Sequence, residues 1–338
     1  MQNKFKIGVT SGDLNGIGLE IFAKYLNSKE FTQNSQQIEI YFFCDFSNYV
    51  KYFEINKTIG RLFKKIQSQL NKILFIEIGK EIKIQPGKIS KDIGKYALDS
   101  INFAIDYANK GKLDGIITLP ICKESIKMNL PNFTGHTEHL SNFFSNRMSL
   151  MIFVYKKLRI ALLTNHISIR SLSAALNFNL IVEKSKIFYH SLKRDFSIAN
   201  PKIAILGLNP HSGENGVIGI EEIETFYPAI EYLQSIGIKL EGPFPADGFF
   251  AFGLGKKFDG ILACYHDQGL IPFKLITKGK GVNFTANLPI VRCSPDHGTA
   301  FDIVGKGIAD YKSLANAFAL AIKIIKNRRR QDRTRSIN

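Results

Sequence analysis

The sequence predicts an α/β protein with a largely parallel sheet, and three observations lead there. Apolar, strand-like runs alternate with amphipathic, helix-like runs along the chain, the pattern of strands joined by crossover helices. The 338 residues exceed what one ordinary core holds, so two domains are expected. Three of the apolar runs are followed closely by a histidine. That puts ligand chemistry at the carboxyl ends of strands, where open α/β sheets bind ligands.

In chain order, strands are expected at residues 6–10, 39–44, 73–76, 115–119, 159–164, 202–208 and 260–265, each a short apolar run. Helices are expected at 18–26, 94–110, 138–144, 169–176, 220–236 and 311–326. Residues 45–95 are the least readable stretch. No fixed-period repeat and no Pro/Gly/Ser linker marks a junction, which leaves open a first domain built from both ends of the chain.

Composition narrows the function classes. Hydrophobic residues make up 45% and charged residues 22%, the mixture of a globular protein. No apolar run approaches the roughly 18 residues that a membrane span needs. The first residues pass straight into a strand pattern (Phe5, Ile7, Val9) without a signal-peptide core, so a cytoplasmic location is expected. Cys44, Cys122, Cys264 and Cys293 form no CxxC pair and lie in or beside apolar runs, which argues against cysteine-ligated zinc. The net charge of +16 comes from lysines spread along the chain, and no nucleic-acid motif accompanies it. The one dense basic run, residues 326–335, reads as a frayed, solvated terminus.

Seven histidines occur, and three share one context. His166 follows the run Arg159-Ile-Ala-Leu-Leu-Thr164; His211 follows Lys202-Ile-Ala-Ile-Leu-Gly-Leu208; His266 follows Gly260-Ile-Leu-Ala-Cys-Tyr265. Any one of them could simply satisfy a loop. Three at strand ends converge on one sheet edge and make a plausible ligand set for a zinc-like ion that polarises a bound oxygen. Asp267 beside His266 is a candidate for orienting that ring or accepting a proton. His136 and Thr137 precede a helical pattern, so Thr137 reads equally as an N-cap or as part of an anion site. His139 and His190 carry no independent signal.

Two glycine-rich loops stand out. Gly12-Asp-Leu-Asn-Gly-Ile-Gly18 joins the first strand to a helix, but it is neither GxGxxG nor a P-loop. Asp296-His-Gly-Thr-Ala-Phe-Asp302 runs on into Ile-Val-Gly-Lys-Gly307 and suits wrapping a nucleotide or another anion. Lys274, Asn283 and Arg292 lie between His266 and that loop; the two cations suit a phosphate or carboxylate, or ordinary surface.

Taken together, these segments resemble the 4-hydroxythreonine-4-phosphate dehydrogenase family of pyridoxal phosphate biosynthesis. The resemblance runs from about residue 6 to residue 310. It rests on Ser11-Gly-Asp-Leu-Asn-Gly-Ile-Gly18, Gly135-His-Thr-Glu138, Gly207-Leu-Asn-Pro-His-Ser-Gly-Glu214, Gly242-Pro-Phe-Pro-Ala-Asp247, Tyr265-His-Asp-Gln-Gly269 and Asp296-His-Gly-Thr-Ala300. Leu14 and Asn15 stand where the family usually has Pro and Ala, and the approach to Gly135 is short.

The resemblance implies a two-domain fold like isocitrate and isopropylmalate dehydrogenases, with the active site in the interdomain cleft. Residues 1–130 with 300–338 would form the cofactor side, and 131–299 the metal and dimer side. It implies one divalent metal (Zn, Mg or Co) at His166, His211 and His266, and substrate contacts at His136, Thr137, Lys274, Asn283 and Arg292. It implies NAD or NADP near Gly12, Asp13, His297, Gly298 and Asp302, and a homodimer that completes the site. The implied reaction takes hydride from C3 of 4-phosphooxy-L-threonine to give 2-amino-3-oxo-4-phosphooxybutanoate, which decarboxylates to 3-amino-2-oxopropyl phosphate. Asp247 and Asp267 are the candidate proton acceptors. The alternatives are a sister dehydrogenase acting on a threonate or erythronate 4-phosphate, and an acyl- or phosphoryl-transferase on a similar scaffold.

Overall fold

A computed structural model of the chain describes residues 4–79, 81–144 and 148–335. The chain divides into two compact units, Met1–Arg147 with Leu288–Ile325, and Met148–Asn287 with Lys326–Asn338. Residues 131–144 and 288–299, expected with the second domain, group with the first unit, and the chain from Lys326 groups with the second.

The first unit contains β1 (Phe5–Thr10), β2 (Ile38–Phe43), β3 (Ile73–Ile76), β4 (Gly115–Thr118) and, from the late part of the chain, β11 (Val291–Pro295). They pair in parallel in the order β3-β2-β1-β4-β11. Both faces of such a sheet are covered by crossover helices, so β4 is buried at every position and reads as a continuous Gly-Ile-Ile-Thr run. The chain moves outward from β1 on one side through β2 and β3, and on the other through β4. The loop after β1 therefore sits where the strand order reverses, the place such sheets bind ligands.

The poorly readable stretch 45–95 supplies the helices Phe46–Phe53 and Lys57–Ile66 and the strand β3. Tyr49, Phe53, Phe63 and Phe75 pack there into an aromatic cluster through edge-on and tilted ring pairs. The longest helix of this stretch of the unit, Lys91–Asn109, is capped by Ser90 Oγ, which accepts from Ile93 N. Its Gly94 packs on the neighbouring helix Lys123–Lys127 so closely that a Cβ would lie 2.0 Å from Ser125 O.

The second unit contains β5 (Leu150–Tyr155), β6 (Leu158–Leu162), β7 (Lys202–Leu206), β8 (Lys239–Phe244), β9 (Gly260–Ala263) and β10 (Val282–Ala286), in the order β10-β5-β6-β9-β7-β8. The pairs β10/β5 and β5/β6 are antiparallel; β6/β9, β9/β7 and β7/β8 are parallel. Its core is formed by Phe153, Ile160, Leu162, Leu206, Phe249, Ile261, Leu270 and Phe273 with smaller neighbours.

The basic tail departs from expectation. Residues 312–335 form one helix, not a frayed end. Arg328 is buried, and its Nε donates to Asp195 Oδ1 at 2.7 Å. Asn327 Nδ2 donates to Asp195 O, and Gln331 Nε2 to Lys193 O and Arg194 O. These donors satisfy the last carbonyls of the helix Phe178–Arg194, which have no partner within that helix. Among the described residues, no helix is long and apolar enough to cross a membrane.

Candidate active site

The three histidines expected as a set all lie in the second unit, in the segments that follow neighbouring strands. β6, β9 and β7 run parallel and side by side, so the segments that follow them leave the same sheet edge. Beyond the strands the backbones stay tied: Leu163 N donates to Ala263 O, and Thr164 donates both N and Oγ1 to Cys264 O. Gln268 is a second tie. Its Oε1 accepts from Cys264 N and its Nε2 donates to Gly207 O, each at 2.7 Å, joining the end of β9 to the end of β7.

His266 opens the helix His266–Thr277, and its Nδ1 lies 2.6 Å from Asp267 Oδ1. A carboxylate can only accept, so this bond places a ring proton on Nδ1. The His166 and His266 rings are 6.1 Å apart between centroids. His166 and His211 are exposed and His266 is half-exposed. His211 sits in a run of left-handed backbone from His211 to Asn215. Among the described residues, no group of three or more His, Cys, Asp or Glu side chains forms a set able to hold a metal ion.

Of the other second-unit residues, Asp247 lies exposed in the first turn of the helix Ala246–Ala251, which follows β8. Lys274 is exposed on the His266 helix. Asn283 is in β10, and its Oδ1 is buried without a hydrogen-bond partner.

The first unit brings His136, Thr137 and Arg292 together. Arg292, in β11, is 2% exposed. It donates from Nη2 to Thr118 Oγ1 at 2.6 Å and from Nη1 to Thr137 Oγ1 at 3.4 Å. Burial lowers its pKa to about 10. His136 starts the helix His136–Phe143, and its Nε2 is buried with no partner. Burial, reinforced by the Arg292 charge, holds its pKa well below the usual histidine value, so the ring is neutral. Sequence reasoning passed over Lys123. Its Nζ lies over Gly135, 3.6 Å from where a Cβ would stand, and beside Glu138.

The two glycine loops of the first unit touch. Ile17 N donates to Thr299 O, and Gly16 packs 3.0 Å from Thr299 measured at its would-be Cβ. Gly12 has φ +66°, and a Cβ there would also lie 2.5 Å from Pro120 O, so the position calls for glycine twice over. Asp13 is buried and braces the turn, accepting from Asn15 N at 2.8 Å; burial raises its carboxyl to about 6. Gly298 and Asp302 are exposed, a Cβ on Gly298 would meet open space, and His297 is half-buried.

Known proteins resemble the chain over nearly its whole length. The family described as pyridoxal phosphate biosynthetic protein PdxA matches residues 28–321. A 4-hydroxythreonine-4-phosphate dehydrogenase of Bacteroides thetaiotaomicron is 39% identical, covering 99% of this chain and 92% of that protein. A protein of Oceanobacillus iheyensis, provisionally named a D-threonate 4-phosphate dehydrogenase, is 34% identical over 96% of this chain and 99% of its own. Among solved structures, a 4-hydroxythreonine-4-phosphate dehydrogenase from Klebsiella pneumoniae superposes with a TM-score of 0.79 at 30% identity, covering 96% of this chain and 98% of that one. With this fold, strand-end histidines and buried arginine, the chain belongs to the pyridoxal phosphate biosynthetic protein PdxA family.

Proposed function

We propose that this chain is a 4-hydroxythreonine-4-phosphate dehydrogenase, oxidising 4-phosphooxy-L-threonine to 2-amino-3-oxo-4-phosphooxybutanoate, which loses CO2 to give 3-amino-2-oxopropyl phosphate. The observation that carries the reading is the 39% identity to a dehydrogenase of that name across 99% of the chain. The chain's own donors agree with it. His266 has its Nδ1 committed to Asp267, which is the arrangement of a metal-binding imidazole. His166 faces it, and His211 leaves the adjacent strand.

His166, His211 and His266 would hold the divalent cation (Zn, Mg or Co), and Gly298, His297 and Asp302, with the Gly12–Asp13 turn behind them, the cofactor. When bound, the cation supplies Lewis-acid polarisation of the substrate hydroxyl, and NAD or NADP supplies the hydride acceptor. Arg292 and Lys274 bind the substrate's anionic groups, with Arg292 held rigid by Thr118 and Thr137. His136, kept neutral by burial, and Asn283 offer uncharged polar contacts. Asp267 orients His266, so Asp247 takes the role of proton acceptor.

We further propose that the working form is a homodimer that completes the metal set. One observation supports it: the His266 helix exposes Ile271, Leu275 and Ile276. The reading includes a cytoplasmic location, in keeping with four free cysteines.

The test is to incubate metal-loaded protein with 4-phosphooxy-L-threonine and NAD and follow NADH. Metal-dependent NADH is expected, and no signal above the metal-free control sinks the dehydrogenase reading. The Oceanobacillus relative gives a second reading its support. A larger kcat/KM on D-threonate 4-phosphate than on 4-phosphooxy-L-threonine would establish it.

A further inference from the structure

The residue that presents His211 has an unusual local cost. His211, Ser212, Glu214 and Asn215 all have positive φ, between 44° and 53°, with Gly213 at 80° between them. For residues with a Cβ, left-handed backbone is disfavoured. A run of this kind persists only where its surroundings hold it. Its backbone bonds include Ser212 N to Asn209 O, Val217 N to Glu214 O and Ile218 N to Gly213 O.

Glu222 packs against this turn. This carboxylate is 1% exposed, at the start of a wide helical turn, Glu222–Phe226. Its Oε1 accepts from Asn209 N and its Oε2 from Asn209 Nδ2, both at 2.8 Å. The second Asn209 Nδ2 hydrogen goes to Glu221 Oε2 at 2.7 Å, and Ser173 Oγ donates to the other Glu221 oxygen. Asn209, two residues before His211, is thereby fixed through backbone and side chain at once. Glu222 also reaches into the turn. A Cβ on Gly213 would lie 2.8 Å from Glu222 Oε2, and one on Gly219 would lie 2.3 Å from Asn209 Nδ2. Both glycines leave the space that the carboxylate–amide pair occupies.

We propose that Glu222, acting through Asn209, is the positioning residue for His211: it holds the left-handed turn that aims this imidazole at the metal. The inference rests on the metal reading of His166, His211 and His266. Groups that act through a ligand's neighbours commonly change metal affinity by ten- to a hundredfold.

The experiment is a calorimetric titration of metal-free, full-length protein with Zn2+, paired with thermal melts of the metal-free forms. Glu222→Gln keeps the volume and one acceptor; Asn209→Ala removes the side-chain bonds to Glu222 Oε2 and Glu221 Oε2 while keeping the backbone bond to Glu222 Oε1, and serves if Glu222→Gln folds poorly. Both are expected to bind Zn2+ about ten- to a hundredfold more weakly than the parent, and kcat should recover as Zn2+ is raised, because the ligand itself remains. His211→Ala should not recover. Zn2+ affinity within twofold of the parent in the folded variants, with melting alone lowered, overturns the proposal and leaves Glu222 as packing. If His211→Ala also retains full affinity, the metal reading itself fails, and the two failures are told apart.

Discussion

The two units hold their candidate site residues in opposite ways. In the first, Thr137 and Arg292 are buried and bonded to one another, and His136 Nε2 is sealed from solvent. In the second, His166 and His211 are exposed, and His266 has 42% of its side chain accessible. Burial fixes charge: it keeps His136 neutral and lowers Arg292 without discharging it. Exposure keeps imidazoles within reach of an ion from solution, but then their order must come from neighbours. Asp267, Gln268 and Glu222 provide it, each bonded to a histidine or to the strand end beside one. Burial with bonding in one unit, and accessibility with bracing in the other, are two solutions to the same need for fixed geometry.

The largest effect is expected where the first unit is packed most tightly. Gly94→Ala drives a methyl group into the Ser125 carbonyl, a backbone atom that cannot step aside. A loss of about 3 kcal/mol is expected in urea unfolding, and an unchanged midpoint would break the picture of a close-packed first unit.

Asp13→Asn should act in the other direction. Burial raises the Asp13 carboxyl from its ordinary 3.8 to about 6. Between those values the folded state binds more protons than the unfolded one, so this group's contribution to stability falls as pH rises from about 4 to 6. The neutral amide escapes that loss. The variant should be more stable than the parent at pH 7.5, by up to about 3 kcal/mol, with the difference gone below pH 4. Equal pH profiles from denaturant titrations would mean that Asp13 is not desolvated.

The smallest stability effect belongs to the second unit. His166→Ala should change unfolding free energy by less than about 0.5 kcal/mol, as for an exposed position, while Zn2+ binding falls. A stability loss several times larger in the metal-free protein would show that this histidine supports the fold, and the contrast between the units would blur.

The strands that carry the metal candidates were readable because they obey simple patterns. β6, β7 and β9 are short apolar runs, and each has its histidine a few residues on. β10 and β11 were not readable, and the reason lies in their work: Asn283, Thr285, Arg292 and Ser294 interrupt the apolar pattern on strands that are nonetheless mostly buried. β5 pairs with β6 across Lys156-Lys157, with Lys156 left-handed and no Asn or Gly to announce the turn. In the helix Phe178–Arg194, Lys184, Ser185 and Ser191 lie on the buried face and mask its period. Within the site, the histidines were visible as residue types in a repeated context. Gln268 and Glu222 were not, because each acts on a backbone segment whose nearness only the folded chain creates; Gln268 reaches Gly207 across 61 positions.

The end of the chain has a bearing on how the protein can be shortened. By composition, residues 326–335 look expendable, a cluster of cations after the apolar pattern that ends at Ile325. Yet Asn327 and Gln331 close the last carbonyls at the end of the helix Phe178–Arg194, and Arg328 lies against the Asp195 carboxylate out of water. Trimming the chain before Asn327 would strip that helix of its closing partners and leave the Asp195 carboxylate buried without its guanidinium. The last basic turns are thus part of the second unit's folding unit, and a minimal version of the enzyme has to keep them.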